Sequence, residues 1–544
     1  FLLKNLMKKF FSVAENRSDG KLFNFRPALF AAAFFALGIL FAYGKKYGAV
    51  SSLWLLAGVP IFALSVGFAA DRRRALFASG VLVLCFCFGG LSFTRAVQRF
   101  KDCGVYAGGH TVVGTIAEKK EYGRFSVLYL TDLYIDGTRE QGQLVAAVGA
   151  SLAEKAALSD EVVLRGTVTT DIDEFGPYGF RAGDIADNVR FKAEAVSLAV
   201  TGRDGNLFRA VRFRIKSALY AGMDDDTAAV AYALLTGDVS GIESGLLENV
   251  RRGGIAHIFA VSGLHVGALY SFCLLLFNKT RLKRLPKLFR FFFVSAILVF
   301  YGGVCGFSAS VTRAAVMCLT LYASSLIGTK PDLPESAGLA ALFLLIVRPV
   351  LLFDVGFQLS FAACLGIGTL SHTFRAAFSA PFARASSVSQ NTAESFSLKL
   401  QRGLVSLLSV SLAAQIATAP ILLHFFGYVS LWGLALNLLF VPLVGAAFSF
   451  LLVLAFVAAL LPLAAAPILL YVPSMLWSAL LLAFYAVDFS SFAVEGIRLG
   501  SAALLFYAFF IFLSDKLNLP GRLRKVLLGI ICLSFAAAVC ALNL

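Results

Sequence analysis

The stretch HIFAVSGLHVG, from His257 to Gly267, continues as the apolar run ALYSFCLLLF, which ends at Phe277. It brings two histidines, a serine and two glycines to the start of a segment that is otherwise apolar and long enough for a membrane helix. Ionisable side chains in such a segment are costly, so they usually face the interior of a helix bundle or an aqueous path. The stretch therefore predicts a membrane-embedded helix whose polar side chains carry function.

The composition of the whole chain is that of a membrane protein. Of its 544 residues, 59% are hydrophobic and only 15% are charged, which excludes an ordinary soluble protein. Apolar stretches long enough to cross a bilayer recur along the chain. We predict a polytopic α-helical membrane protein with about 13 transmembrane helices, near residues 28–43, 50–70, 75–94, 254–277, 291–307, 310–328, 336–353, 355–371, 404–426, 430–460, 464–487, 499–513 and 525–542.

The net charge of +16 is unevenly distributed. Between Lys101 and Asp204 there are 11 basic and 16 acidic residues, a net charge of −5, so the rest of the chain carries +21. Much of this excess lies in short loops between apolar stretches, at residues 71–74, 279–290 and 516–525. Because short cytoplasmic loops are enriched in Lys and Arg, the pattern indicates topology and gives no evidence for DNA binding. It places residues 95–250 outside the cytoplasm.

Residues 95–205 have the pattern of a separate β-domain. Short runs rich in β-branched residues, such as EVVLRGTVTT at 161–170, alternate with Gly, Asp and Asn turns. Four or five strands predict a small barrel, of which an OB-fold is the preferred version, and a β-sandwich fits the pattern equally well. Residues 206–250 follow as an amphipathic helix and a connector. Basic and apolar residues alternate in this helix, which is typical of a segment on the membrane surface, and a role in guiding DNA is the alternative.

We predict that residues 251–544 form a transmembrane domain. Four further sequence blocks, the first of which begins in the preceding connector, bring polar residues or glycines into this apolar region. They are LLTGDVSGIESGLLENVRRGG (234–254), GGVCGFSASVTRAAVM (302–317), RPVLLFDVGFQLSF (348–361) and SLAAQIATAPILLHFFGYVSLWGLALNLLFVPL (411–443). Polar groups in apolar helices indicate a solvated path, whereas small residues at regular spacing let helices approach closely.

These blocks, in this order and together with the histidine stretch, resemble the ComEC family, the inner-membrane channel through which competent bacteria import single-stranded DNA. The resemblance implies N-terminal transmembrane helices at 1–94, an OB-like extracytoplasmic domain at 95–205 and a competence-type transmembrane domain at 251–544. It implies a multi-pass protein of the bacterial cytoplasmic membrane. Its expected partners are single-stranded DNA, membrane lipid, a DNA receptor outside and a helicase-type ATPase inside, and an oligomer is compatible with this role.

The resemblance and the cost of polar groups in a bilayer together single out eight residues as channel-lining or DNA-contacting. They are Asp238, His257, Ser262, His265, Arg313, Asp354, Gln358 and Gln415.

Several of these residues also have a structural interpretation. His257 and His265 lie about 80° apart around a helix, so they can share a face, either as packing histidines or as pore-lining donors. Arg313 must pair or line water, and Asp354 and Asp238 are its candidate partners, in a structural pair or beside a phosphate. Ser262 lies outside any G-x-S-x-G motif, which argues against a serine hydrolase.

We expect neither a metal, a cofactor nor an enzymatic activity. The nine cysteines include no C-x-x-C pair, and the two histidines of the stretch lack a third ligand at suitable spacing. Many ComEC proteins continue into a metallo-β-lactamase-like nuclease domain with an H-x-H-x-D-H motif. None of the five histidines of this chain forms that motif. Another polypeptide, a longer chain or a reduced role would account for this departure.

The aromatic residues of the outer domain are candidates for base stacking. The negative net charge of this domain does not favour binding of phosphates. The candidate platforms are Tyr106, Tyr122, Phe125, Tyr129 and Tyr134, and a local basic patch comprises Lys119, Lys120 and Arg124. The leading interpretation is a channel for single-stranded DNA. A small-solute permease, a paralogue without DNA transport and a membrane-embedded hydrolase are the alternatives.

Overall fold

The computed structural model describes residues 26–46, 72–121, 124–153, 156, 160–172, 175–176, 179–180, 184–185, 188–203, 207–239, 241–252, 261, 263–279, 284–327, 332–386, 396–430, 432–486, 493–495 and 507. These residues form a bundle of helices and one β-domain. The predicted spans 50–70 and 525–542, and all but one residue of 499–513, lie outside the described residues.

Two parallel helices begin the described chain. They are α1 (Pro27–Lys46) and α2 (Arg72–Lys101). Phe35 contacts Phe88 and Tyr43 contacts Phe93, with ring centroids 6.1 and 6.4 Å apart, so the two helices run in the same direction. Their closest approach is at Gly38, where a Cβ would lie 1.9 Å from a carbonyl oxygen of α2. Only glycine allows the two backbones to meet at this distance. The helix α2 also continues beyond the predicted domain boundary at residue 94.

A closed β-barrel follows α2. Its strands are β1 (Ala107–Glu121), β2 (Phe125–Ile135), β3 (Thr138–Glu140), β4 (Gln143–Gly149), β5 (Asp160–Thr170) and β8 (Val189–Arg203), with a short helix α3 (Ala150–Ala153) and a separate hairpin of β6 (Phe175–Gly176) and β7 (Gly179–Phe180). The sheet order is β1-β5-β8-β4-β2-β3, and β1 also pairs with β2, so five strands close on themselves. Among the described strands, only β4 and β8 pair in parallel.

The interior of the barrel is filled by alternate residues of its strands, because every second side chain of a strand points to the same face. Val112, Ile116, Leu128, Leu164 and Phe191 are fully buried there.

The remaining helices form the bundle. They are α4 (Leu207–Gly222), α5 (Asp225–Thr236), α6 (Ser244–Arg252), α7 (Gly263–Lys279), α8 (Lys287–Val304), α9 (Ala309–Ile327), α10 (Leu333–Val347), α11 (Val355–Ser386), α12 (Phe396–Phe426), α13 (Trp432–Leu460) and α14 (Ala466–Ala486). Short 3₁₀ helices cover Pro349–Phe353 and Leu463–Ala465, and strands β9 (Tyr428–Ser430) and β10 (Ala493–Glu495) pair antiparallel. Most of the segment 372–402, which lies between the predicted spans 355–371 and 404–426, is therefore helical, since α11 ends at Ser386 and α12 begins at Phe396.

Seven helices in the described part of the chain are long and apolar enough to cross a membrane. They comprise α1, most of α2, α8, α12 and α14, together with parts of α11 and α13, while α7 and α10 are shorter apolar helices. The chain is thus a helical, multi-pass membrane protein with one β-domain.

The amphipathic helix α4 does not lie free on a surface, in contrast to the prediction. It packs against α8, α13 and α14, and its residues Ile215, Ala218 and Leu219 are fully buried in the bundle core. Phe208, near the N-terminus of α4, packs closely against Gly303 of α8. A Cβ on Gly303 would lie 2.3 Å from Cε1 of the Phe208 ring. Gly303 therefore serves close packing, as one of the two interpretations expects.

Candidate functional site

His265 is the only histidine of the quoted stretch whose position the structure describes. His257 and Ser262 lie outside the described residues. His265 is fully buried in α7, and its ring contacts the ring of Phe448 of α13 edge-on, with centroids 4.3 Å apart. Phe448 lies near the midpoint of the 29-residue helix α13. A buried imidazole at this depth is costly, which is why it remains a candidate functional group.

Arg313 and Asp354 form an ion pair inside the bundle. Arg313 lies in the first turns of α9 and is 6% exposed. Its Nη1 is 3.5 Å from Oδ2 of Asp354, whose side chain is 31% exposed. Both Nε and Nη1 of Arg313 are buried and donate no hydrogen bond within the described part of the chain. The guanidinium is therefore paired by charge and has hydrogen-bonding capacity left for an anion.

Asp354 has a second partner, because it caps the helix α11. Its Oδ2 accepts a hydrogen bond from the backbone N–H of Phe357 at 2.7 Å, as expected for an N-cap residue. Gly356 keeps this corner open, since a Cβ there would lie 3.3 Å from Nη2 of Arg313. A buried cation and a helix N-terminus thus meet at one carboxylate, and both features favour negative charge.

Gln358 belongs to the same corner. Its Nε2 donates to the carbonyl oxygen of Leu352 at 3.0 Å, which ties α11 to the preceding 3₁₀ helix. The predicted residues Arg313, Asp354 and Gln358 are therefore brought together, and we call them the α9–α11 corner.

Gln415 holds a non-helical segment against α12. Its Nε2 donates to the carbonyl oxygen of Ser430 at 2.8 Å, although Gln415 lies roughly 16 Å before the end of α12 at Phe426. Strand β9 therefore returns alongside the helix. Irregular backbone at membrane depth is tolerated where it is buried in protein or lines a cavity. Ser430 is only 5% exposed, so protein surrounds it.

Asp238 follows the buried helix α5. Residues 227–236 of this helix are all buried, and it ends at Gly237, which has a φ of 87°. The backbone N–H of Asp238 donates to Oγ1 of Thr236 at 3.3 Å, and its side chain is half-buried. The ion pair of Arg313 is made with Asp354 rather than with Asp238, the other candidate.

The β-barrel exposes part of the predicted aromatic surface. Phe125 and Tyr134 on β2 are 45% and 41% exposed, and Tyr129 is half-buried on the same strand. The side chain of Tyr122 lies outside the described residues. Lys119 of the predicted basic patch donates to the carbonyl oxygens of Ala153 and Ala156, which reduces its availability for phosphate.

Tyr106, another predicted platform, belongs to a polar cluster at one end of the barrel. Its hydroxyl donates to Glu140 at 2.7 Å, and burial together with this hydrogen bond raises the pKa of Tyr106 to about 12. Nδ1 of His110 lies 2.6 Å from Asp136. The backbone N–H of Thr111 and the His110 side chain hydrogen-bond to Asp136, and they lower the pKa of that carboxyl below its usual range.

No group of three or more His, Cys, Asp or Glu side chains suited to a metal ion occurs among the described residues. A groove of about 330 Å³ is lined almost entirely by apolar side chains of α7, α8 and α13, and none of the predicted site residues that the structure describes lines it.

One contact of the bundle was not predicted from the sequence. Arg26, which precedes α1, is 2% exposed, and its Nε and Nη2 lie 2.6 and 3.0 Å from the two carboxylate oxygens of Asp332. Glu335 accepts hydrogen bonds from the backbone N–H groups of Ala28 and Leu29. The sequence DLPE at 332–335 is a recognisable helix start, yet nothing in it identifies the partner.

Comparison with known proteins identifies the family. Residues 234–535, more than half of the chain, match the model of the Competence family, described as competence protein. The chain belongs to this family. It is also 29% identical over 236 residues to ComE operon protein 3 of Bacillus subtilis (strain 168), a match that covers 43% of this chain and 27% of that protein. The chain thus spans about a quarter of that relative. No solved structure matches it significantly.

The family match includes the histidine stretch, the α9–α11 corner and Gln415. These polar groups therefore lie in the part of the chain that the family model covers.

Proposed function

We propose that this chain is an inner-membrane channel through which single-stranded DNA enters the cell during natural transformation. The observation that carries the proposal is the α9–α11 corner. Arg313 is buried there with donors that the described part of the chain leaves unused, beside the N-terminus of α11. Such a position favours an anionic group, and the phosphates of DNA are the anions that a competence protein encounters.

The corner would act by exchange of partners. Asp354 would neutralise Arg313 when no DNA is present. Its Oδ2 lies 3.5 Å from Nη1 of Arg313, longer than a strong charge-assisted hydrogen bond, so the guanidinium can exchange this partner for another. A phosphate that reaches Arg313 would replace this carboxylate, which would keep its hydrogen bond to Phe357. Because the displaced carboxylate and the next phosphate compete for one guanidinium, binding stays weak enough for the strand to move on.

The outer β-domain would receive the strand. A closed barrel of five strands supports the proposed OB-type fold, whose exposed strand faces bind oligonucleotides. Phe125 and Tyr134 are exposed on β2 and would stack on bases. The net charge of −5 between Lys101 and Asp204 means that stacking, more than phosphate attraction, would hold the strand.

The proposed topology comprises about 13 spans with the β-domain outside. The parallel packing of α1 on α2 supports it, because the sequence between these two helices contains the proposed second span, near 50–70. The helix α10 also runs parallel to α1, with Arg26 paired to Asp332 at one end and Tyr43 against Phe353 beyond the other. Alternation of the predicted spans gives all three helices the same direction.

Binding of DNA by the purified full-length chain tests the proposal. We expect single-stranded DNA to bind with an affinity that falls as salt rises, and double-stranded DNA to bind more weakly, because its bases are not free to stack. Deletion of the gene should abolish transformation, and the plasmid-borne gene should restore it. Solute flux through liposomes without any binding of DNA would instead support a permease and would contradict the channel.

A further inference from the structure

An apolar groove lies between three membrane helices. It has a volume of about 330 Å³ and is lined by α7, α8 and α13, with Phe272, Phe300 and Val453 among its walls. Phe272 and Val453 are 40% and 37% exposed, so the groove opens to the outside of the bundle. Because α8 and the second half of α13 are long and apolar enough to span a membrane, we place the opening of the groove at the hydrocarbon of the bilayer.

A basic side chain lies in line with the groove. Arg290 is seven residues before Ile297, which lines the groove, so the two residues share one face of α8 and are separated by about 10 Å along its axis. Nε of Arg290 is buried and donates no hydrogen bond within the described residues. Arg290 ends the segment 279–290, which contains six basic residues.

This spacing matches the dimensions of one bilayer leaflet. Half of the hydrocarbon core is about 15 Å thick, and the groove residues of α8 begin about 10 Å from Arg290 and end about 16 Å from it. A lipid whose phosphate meets Arg290 would therefore place an acyl chain in the groove. A positive residue near the membrane surface attracts anionic headgroups, by about 1 kcal/mol for each Lys or Arg.

We infer that the groove between α7, α8 and α13 is a binding site for an anionic phospholipid, with its acyl chain in the groove and its headgroup at Arg290. The site shares no residue with the α9–α11 corner.

Two variants with matched controls separate the two halves of the site. Val453→Phe fills the groove, whereas Val472→Phe makes the same change at a lipid-exposed position of α14 that does not line it. Arg290→Gln removes the headgroup contact, whereas Arg375→Gln removes an exposed positive charge from α11. Native mass spectrometry of the purified full chain, titrated with phosphatidylglycerol or phosphatidylcholine, measures the bound lipid.

We expect the unaltered chain and both controls to retain phosphatidylglycerol in preference to phosphatidylcholine. Arg290→Gln should weaken phosphatidylglycerol binding about fivefold and leave phosphatidylcholine unchanged, and Val453→Phe should reduce the binding of both lipids. Equal retention of phosphatidylglycerol by Val453→Phe and Val472→Phe would overturn the site. Equal affinity of the unaltered chain for the two lipids would overturn its anionic character.

Discussion

A double-mutant cycle at Arg313 and Asp354 distinguishes a structural ion pair from a group that contacts DNA. Two unit charges 3.5 Å apart attract each other by about 5 kcal/mol at an effective dielectric constant of about 20. Asp354 is 31% exposed, so solvent screens part of this attraction, and we expect a coupling free energy of about 2 to 3 kcal/mol. Asp354→Asn is the suitable partner variant, because Asn can still cap α11 at Phe357.

The cycle compares the unaltered chain, Arg313→Gln, Asp354→Asn and the double variant. The free energy of unfolding of each is measured in one lipid–detergent mixture, together with its abundance in the membrane and its transformation frequency. Each single variant should lose about 3 kcal/mol, because it leaves one charge of a buried pair without its counter-charge. The double variant should be more stable than the sum of the two losses predicts, by the coupling free energy.

Transformation then decides the role of the guanidinium. If Arg313 contacts phosphate, the double variant recovers abundance but not DNA uptake. Uptake that returns in proportion to abundance would refute a contact with DNA and leave a structural pair. Losses of stability that simply add, to within about 0.5 kcal/mol, would refute the pair itself.

Four further outcomes follow from the fold. An impermeant thiol reagent should label Cys103 in intact spheroplasts. Labelling should be slow at neutral pH, because burial raises the pKa of the thiol, and should become faster as the pH rises. Labelling only after lysis would indicate the opposite topology. Gly89→Ala should lower the free energy of unfolding by about 1 to 3 kcal/mol, because its Cβ would lie 2.2 Å from a carbonyl oxygen of α1. The control Gly80→Ala, which has open space around it, should not lower it. Equal effects of the two substitutions would contradict the contact between α1 and α2. His265→Phe, which conserves a buried ring, should reduce transformation more than membrane abundance, and a parallel decline would favour a packing role. The purified chain should not cleave DNA in magnesium, manganese or zinc, and metal-dependent cleavage that Asp238→Ala abolishes would show that it is an enzyme.

The sequence predicted the helices of the bundle because their apolar character is local. The boundaries of α8, α9 and α12 differ from the predicted spans by a few residues at most ends. The pairing of Arg313 with Asp354 was one of two predicted alternatives, since the cost of a buried guanidinium requires a carboxylate but does not select it.

The position of α4 was predicted less well, for a physical reason. Amphipathicity shows that a helix has two unlike faces, but it does not show whether the apolar face meets lipid or other helices. In α4 the apolar face meets α13 and α14, while Phe213 on the other face is 68% exposed. The contact of Gly38 with α2 could not be predicted from the sequence either, because a glycine in an apolar helix has no side chain to indicate its neighbour.

The bond between Arg26 and Asp332 sets a condition on biogenesis. The two residues are 306 positions apart, so a ribosome that adds about 5 to 20 residues per second needs roughly 15 to 60 s to supply the second after the first. Throughout that interval Arg26, which precedes α1, is already part of the nascent chain, whereas its acceptor Asp332 has not yet been synthesised. Lipid headgroups or insertion factors must accommodate that charge in the meantime. The N-terminal helices would then remain loosely held until α10 has entered the bilayer, and fragments that end before it would be substrates for membrane proteolysis.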